Sequence, residues 1–151
     1  MPARKKFSHL NSEGNAVMVD VGSKSIVFRR ATAEGKLLCA ASTIRLLKKK
    51  ALPKGDVLGV ARIAGIQAVK RTADLIPLCH PLPLQKIQID FCVTNRAIEI
   101  ICLVETEAKT GVEMEALAGV SIAALTLYDM CKAVDKTMRI SDVRVVEKIK
   151  K

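Results

Sequence analysis

A histidine, a carboxylate and two lysines are the side chains of this chain whose types and surroundings could move protons and hold an anion. His80 lies in Leu75-Ile76-Pro77-Leu78-Cys79-His80-Pro81-Leu82-Pro83-Leu84, where three prolines in seven residues remove backbone donors and bias the preceding residues to extended conformations. Such a loop is stiff, and an imidazole in it is aimed. The ordinary pKa of imidazole lies nearest physiological pH, which suits it to proton transfer or to donating to a substrate oxygen. The competing reading is a buried histidine bonded to a nearby carbonyl.

Asp129 and Lys132 are three residues apart in a helical pattern, so a carboxylate and an ammonium sit side by side among apolar residues. Attraction between them stabilises both charges and burial opposes them, and the balance sets whether the pair can transfer protons. A plain helix-surface ion pair, extended by Asp135 one turn on, is the alternative. Glu115 stands fourteen residues before Asp129, within roughly 40° of the same helix face but about 21 Å away along the axis. One small pocket cannot use both from one chain. Either the substrate is long, or each pocket takes one end of this helix from another subunit.

These groups need elements to hold them. The chain of 151 residues, 50% apolar, is long enough for one hydrophobic core and is read as a single domain with a polar tail over 1–15 and a short basic end over 148–151. Residues 16–21 read as a short strand, and 25–40 as an extended region broken at Glu34-Gly35. A short basic helix over 42–50 is stopped by Pro53, and Asp56 is placed to cap a helix over 57–71, with Lys54 just ahead of it. Residues 86–94 alternate strictly, and a two-residue turn at Asn95-Arg96 would set Val93 opposite Ile98, Phe91 opposite Ile100, Ile89 opposite Cys102, Ile87 opposite Val104 and Lys86 opposite Glu105. Thr110 and Glu113 have capping-box spacing for a long helix running to about Val134, apolar nearly all round, so burial against both a sheet and a neighbouring subunit is expected. A last strand spans 138–148. The order strand, helix, strand, strand, helix, strand fits an α+β, ferredoxin-like antiparallel sheet packed with helices, with an extra N-terminal strand and short helix.

Composition narrows the function. Cysteines 39, 79, 92, 102 and 131 form no Cys-x-x-Cys pair, which argues against a disulfide framework or zinc knuckle. No apolar stretch is long enough for a membrane span and no apolar run follows the basic start, so a soluble, unexported, cytoplasmic protein is expected. A net charge of +10 attracts anions, phosphates above all. Arg4, Lys5, Lys6, Lys148, Lys150 and Lys151 are discounted as solvated tails, and Lys48-Lys49-Lys50 as a helix end, which leaves Lys54, Arg62, Lys70 and Arg71.

Lys54-Gly55-Asp56-Val57, Ala61 to Ile66, Asp74 to Leu82, Gly111 to Leu117 and Leu127-Tyr128-Asp129-Met130-Cys131-Lys132-Ala133 together closely resemble the MoaC family, and Met18-Val19-Asp20-Val21 looks like its first strand. The resemblance runs in order from about residue 8 to residue 147. It implies a lyase of molybdenum cofactor biosynthesis, a cyclic pyranopterin monophosphate synthase acting on 3',8-cyclo-7,8-dihydro-GTP with release of pyrophosphate. It further implies Asp129 and Lys132 as the catalytic pair, Lys54 and His80 in support, and Leu78, Cys79, His80, Met114 and Glu115 in contact with substrate. Glu113, Lys70 and Arg62 are added as candidate substrate-binding groups, although Glu113 could be only a cap, Lys70 only a helix-end cation and Arg62 only an ion-pair partner. The resemblance also implies a hexamer built as a trimer of dimers with sites at subunit interfaces, and a radical GTP cyclase upstream in the same pathway. No cofactor is required by the sequence; Mg²⁺ on the triphosphate is compatible with it, but no carboxylate cluster specifies the ion. The competing class is a basic RNA-binding module, which would stack bases on aromatic side chains. Only Phe7, Phe28, Phe91 and Tyr128 are available for that.

Overall fold

The computed structural model describes residues 8–151; Arg4, Lys5, Lys6 and Phe7 lie outside the described residues. Alternation of apolar and polar side chains builds β1 (Val27–Leu38), in which Ala31, Ala33 and Leu37 are fully buried while Arg30, Thr32, Glu34 and Lys36 point outward. β1 does not break at Glu34-Gly35. Gly35 is needed because a Cβ there would meet Val120 Cγ1 at 2.6 Å, so a helix lies directly on the strand. The irregularity belongs to the neighbouring strand β4 (Arg139–Lys150), which sets Asp142 and Val143 opposite Gly35, with Asp142 at φ 56°.

After β1 come α1 (Ala41–Lys48) and α2 (Val57–Lys70), joined by a loop whose turns are made by Lys50 at φ 53° and Gly55 at φ 82°. The first helix therefore ends before Pro53, at the left-handed Lys50. Asp56 caps α2 as expected, its Oδ1 accepting the Gly59 amide at 3.0 Å. One further turn, α3 (Thr72–Leu75), leads into the proline loop.

The hairpin of β2 (Leu84–Val93) and β3 (Ala97–Ala108) has the expected register in all five named pairs. Cys102 is fully buried and Cys92 exposed, as the alternation requires. Glu105 meets Lys86 at 3.9 Å and, more closely, Arg30 at 2.6 Å.

The last helix, α4 (Glu113–Cys131), has Val112 at its N-cap, and the capping box does not form. Glu113 turns instead to an ion pair with Lys148 of β4. Lys148 and Lys150 accordingly belong to a strand paired with β1, not to a solvated tail. The four strands make one antiparallel sheet in the order β2-β3-β1-β4, giving the α+β class read from the sequence. α4 packs on β1, β3 and β4, and α2 on β2 and α4. The two helices approach closely through glycine: a Cβ on Gly65 would meet Gly119 O at 2.9 Å, and one on Gly119 would meet Val69 Cγ2 of α2 at 2.7 Å as well as Cys102 Sγ of β3 at 2.6 Å. Residues 16–21 form no strand; beyond an isolated bridge between Leu10 and Ala16, this segment is an extended arm laid across the proline loop.

Candidate active site

The proline loop, the start of α4 and the N-terminal arm enclose a cleft of about 470 Å³. Leu78, Cys79 and His80 form one wall; Glu113, Met114 and Glu115 form another; Val19, Val21 and Lys24 of the arm close it. His80 Nε2 donates to Val19 O at 2.7 Å, which leaves Nδ1 as its second functional nitrogen. The carbonyl-bonded histidine and the cleft-lining histidine are thus the same residue. Lys109 Nζ donates to Gly22 O at 2.6 Å, a second tie on the arm.

Glu115 is buried, with 4% of its surface exposed, and its carboxyl has no side-chain partner among the described residues. Burial, with a smaller push from Glu113, raises its pKa despite the backbone amide that favours the charge. Cys79 is pushed up by burial and then by Glu115. Glu113 goes the other way: burial opposes its charge, but the Lys148 ammonium, its own amide and Arg29 together lower its pKa. Lys70 reaches the same region from behind, lining a cavity of about 110 Å³ that shares His80 and Glu115 with the cleft. Arg62 lines neither cavity; its Nε donates to Ile89 O at 3.0 Å and its guanidinium lies 5.4 Å from the centre of the Phe91 ring.

A second cluster occupies the other end of α4. The Asp129 carboxylate lies between two ammonium groups, Lys132 Nζ at 2.7 Å from Oδ1 and Lys54 Nζ at 2.8 Å from Oδ2. Lys54 also donates to Asp129 O at 3.3 Å. Hydrogen bonds from Lys132 and then Lys54, reinforced by their charges, hold the Asp129 pKa down at about 2, while Asp129 raises that of Lys132. All three side chains are about half exposed, so water screens the cluster in a single chain. Asp135 does not extend this ion pair; it points inward to the start of α1. Fourteen residues separate Glu115 from Asp129 along α4, which places the two clusters about 21 Å apart along one rigid helix.

The chain matches the family model described as "MoaC family" over residues 18–150. It belongs to the MoaC family. A cyclic pyranopterin monophosphate synthase of Chloroflexus aurantiacus is 52% identical over 148 residues, covering 97% of this chain and 91% of the relative. One from Natranaerobius thermophilus is 51% identical over 145 residues, with 95% and 91% covered. A molybdenum cofactor biosynthesis bifunctional protein of Chlorobaculum tepidum is 54% identical over 143 residues, 95% of this chain and 46% of that longer protein.

Sequence reasoning missed the arm. Val19, Val21, Lys24 and His9 all line the cleft, whereas period-two patterning marked only a short strand and a tail. The signal available was the likeness of Met18 to Val21 to the family; the two hydrogen bonds that dock the segment, donated by His80 and Lys109 side chains to its backbone carbonyls, leave no mark in its own composition. The RNA-binding alternative finds no support, because Phe91 and Tyr128 pack against the core and Arg30 lies 5.8 Å from the centre of the Phe28 ring. Among the described residues no group of three His, Cys, Asp or Glu side chains is placed to hold a metal ion.

Proposed function

We propose that this MoaC-family chain converts 3',8-cyclo-7,8-dihydro-GTP into cyclic pyranopterin monophosphate and pyrophosphate, with Asp129, Lys132, Lys54 and His80 as its catalytic groups. The observation that carries the site assignment is the carboxylate held between two ammonium groups at the end of α4. Rebuilding the ring requires protons to be taken from and returned to nitrogen and oxygen, and Asp129 and Lys132 offer an ionised base and a charged acid 2.7 Å apart. Closing the cyclic phosphate joins an oxygen of the former ribose to the α-phosphorus, breaks the bond to the β-phosphate and expels pyrophosphate. Lys54 and His80 would face the negative charge that develops there, with Lys70 near enough to His80 to add to the field. Leu78, Cys79, Met114, Glu115 and Glu113 would contact the substrate in the cleft. Mg²⁺, if used, would enter on the triphosphate.

A single chain does not bring His80 to Asp129. The two clusters are therefore assigned to one pocket contributed by two subunits, the hexameric trimer of dimers being the assembly that supplies them. Leu125 and Met114, exposed at 54% and 41% on α4, and Ile63 at 57% on α2 supply apolar surface for such contacts. α4 has the length and composition of a membrane span, but half of that stretch is buried within the protein, as in a core helix; we place the reaction in the cytoplasm, next to a radical GTP cyclase that supplies the substrate. Turnover of purified 3',8-cyclo-7,8-dihydro-GTP tests the assignment. Asp129→Asn and Lys132→Ala should each lower product formation by about 10²–10⁴-fold. Undiminished turnover in both would remove the pair from the mechanism.

A further inference from the structure

Asp135 follows Lys132 by three residues in the turn after α4, and it is buried, with 4% of its surface exposed. No cation pairs with it among the described residues. Its charge is met by four hydrogen bonds: Oδ2 accepts from the Ala40 amide at 2.8 Å and from Thr43 Oγ1 at 2.9 Å, and Oδ1 accepts from the Thr137 amide at 2.9 Å and from Thr137 Oγ1 at 2.7 Å. Burial opposes the ionised form, but these donors outweigh it and hold the pKa at about 2.

The position of those donors matters. α1 has Ala40 at its N-cap and no capping side chain of its own. Asp135 supplies the missing acceptor from 95 residues further along the chain, where its negative charge also complements the helix dipole. α1 then leads into the loop that carries Lys54, and Lys54 returns to Asp129 on the last turn of α4. The same two parts of the molecule are thus tied twice, once by the buried Asp135 and once by the half-exposed Lys54–Asp129 pair. An exposed ion pair orders its partners weakly. The buried tie is the one able to set the geometry.

We propose that Asp135 is a positioning residue for the Lys54–Asp129–Lys132 group, holding α1 and the Lys54 loop against the end of α4 before substrate arrives. Asp135 touches no reacting atom. Its effect on turnover rests on the function proposed above, whereas its effect on the charge cluster does not.

The experiment compares wild type, Asp135→Asn and the core variant Val104→Ala on β3, each read in three ways: thermal stability, kcat and KM for 3',8-cyclo-7,8-dihydro-GTP, and the NMR titration of the Asp129 carboxyl. Asp135→Asn should lower kcat by about 10–100-fold, as small misplacements of catalytic groups do, with KM little changed and the Asp129 titration moved upward. Val104→Ala should lose stability while keeping wild-type kcat and an unmoved Asp129 titration. An Asp135→Asn protein that loses stability but keeps both kcat and the Asp129 titration overturns the proposal, leaving Asp135 with a structural role only. If wild type fails to turn over the nucleotide, the proposed function falls, and the titration still decides the positioning role. Should Asp135→Asn not fold, Thr43→Val removes one of the four hydrogen bonds and should shift kcat and the titration in the same directions by less; no shift in either overturns the proposal.

Discussion

Asp129 owes its low pKa to two neighbours that come from different places in the chain. Lys132 is local, one turn along the same helix, and its hydrogen bond is the larger influence; Lys54 arrives from a loop 75 residues earlier. Removing either ammonium should therefore raise the Asp129 pKa from about 2 toward 3.8, its ordinary value, and Lys132→Ala should raise it more than Lys54→Ala. Side-chain carboxyl NMR titration of the two variants checks both direction and order. Because the folded value is depressed, any stability the cluster adds is present above the ordinary carboxylate pKa and is lost as pH falls toward the folded value. Between those limits and neutrality the pair stays a carboxylate and an ammonium, so a proton moves between them only once substrate changes their surroundings.

At the scale of elements, the fold rests on places where a helix touches its neighbour without a side chain between. Gly65 of α2 and Gly119 of α4 meet at such a crossing. Gly65→Ala should destabilise the protein by about 1–3 kcal/mol, since the new methyl would meet Ile89 Cδ1 at 2.4 Å, a side-chain end that can move aside, and also the Gly119 carbonyl at 2.9 Å, which cannot. Urea unfolding with an unchanged m-value would show it. These elements were largely legible in the sequence. Strict alternation in β2 gave the hairpin register pair by pair, and Asp56 marked the start of α2. What local pattern could not show was partnership at a distance. Thr110 and Glu113 have capping-box spacing, yet Glu113 is drawn to Lys148, a residue whose position at the end of the chain made it look like solvated tail. Asp135 looked like an ion-pair neighbour because it lies near Lys132 in sequence, and only the packed molecule shows that the start of α1 claims it. Glu34-Gly35 looked like a break because the helix that requires that glycine lies some eighty residues away.

At the scale of the whole molecule, the two clusters at opposite ends of α4 predict a particular behaviour on mixing. An assembly of His80→Ala subunits and one of Asp129→Asn subunits should each be inactive. When the two are unfolded together and refolded, some pockets would receive Asp129 from one subunit and His80 from another, and activity should return. No recovery, with mixed assemblies confirmed by native mass spectrometry, would mean that a pocket is built within one subunit.

The sheet places β1, its first strand in chain order, between β3 and β4, its third and its last. One backbone edge of β1 can pair once β3 is made, but the other waits for β4, which begins only at Arg139. During that interval a strand with one apolar face and a row of unpaired amides and carbonyls is open to intermolecular pairing. Its final neighbour brings Lys148 to Glu113 at the cleft as it docks. Closing the vulnerable edge and pairing Glu113 of the cleft wall are thus one event in the life of the nascent chain, so a product lacking β4 would lack both the protected sheet and the cation that holds Glu113.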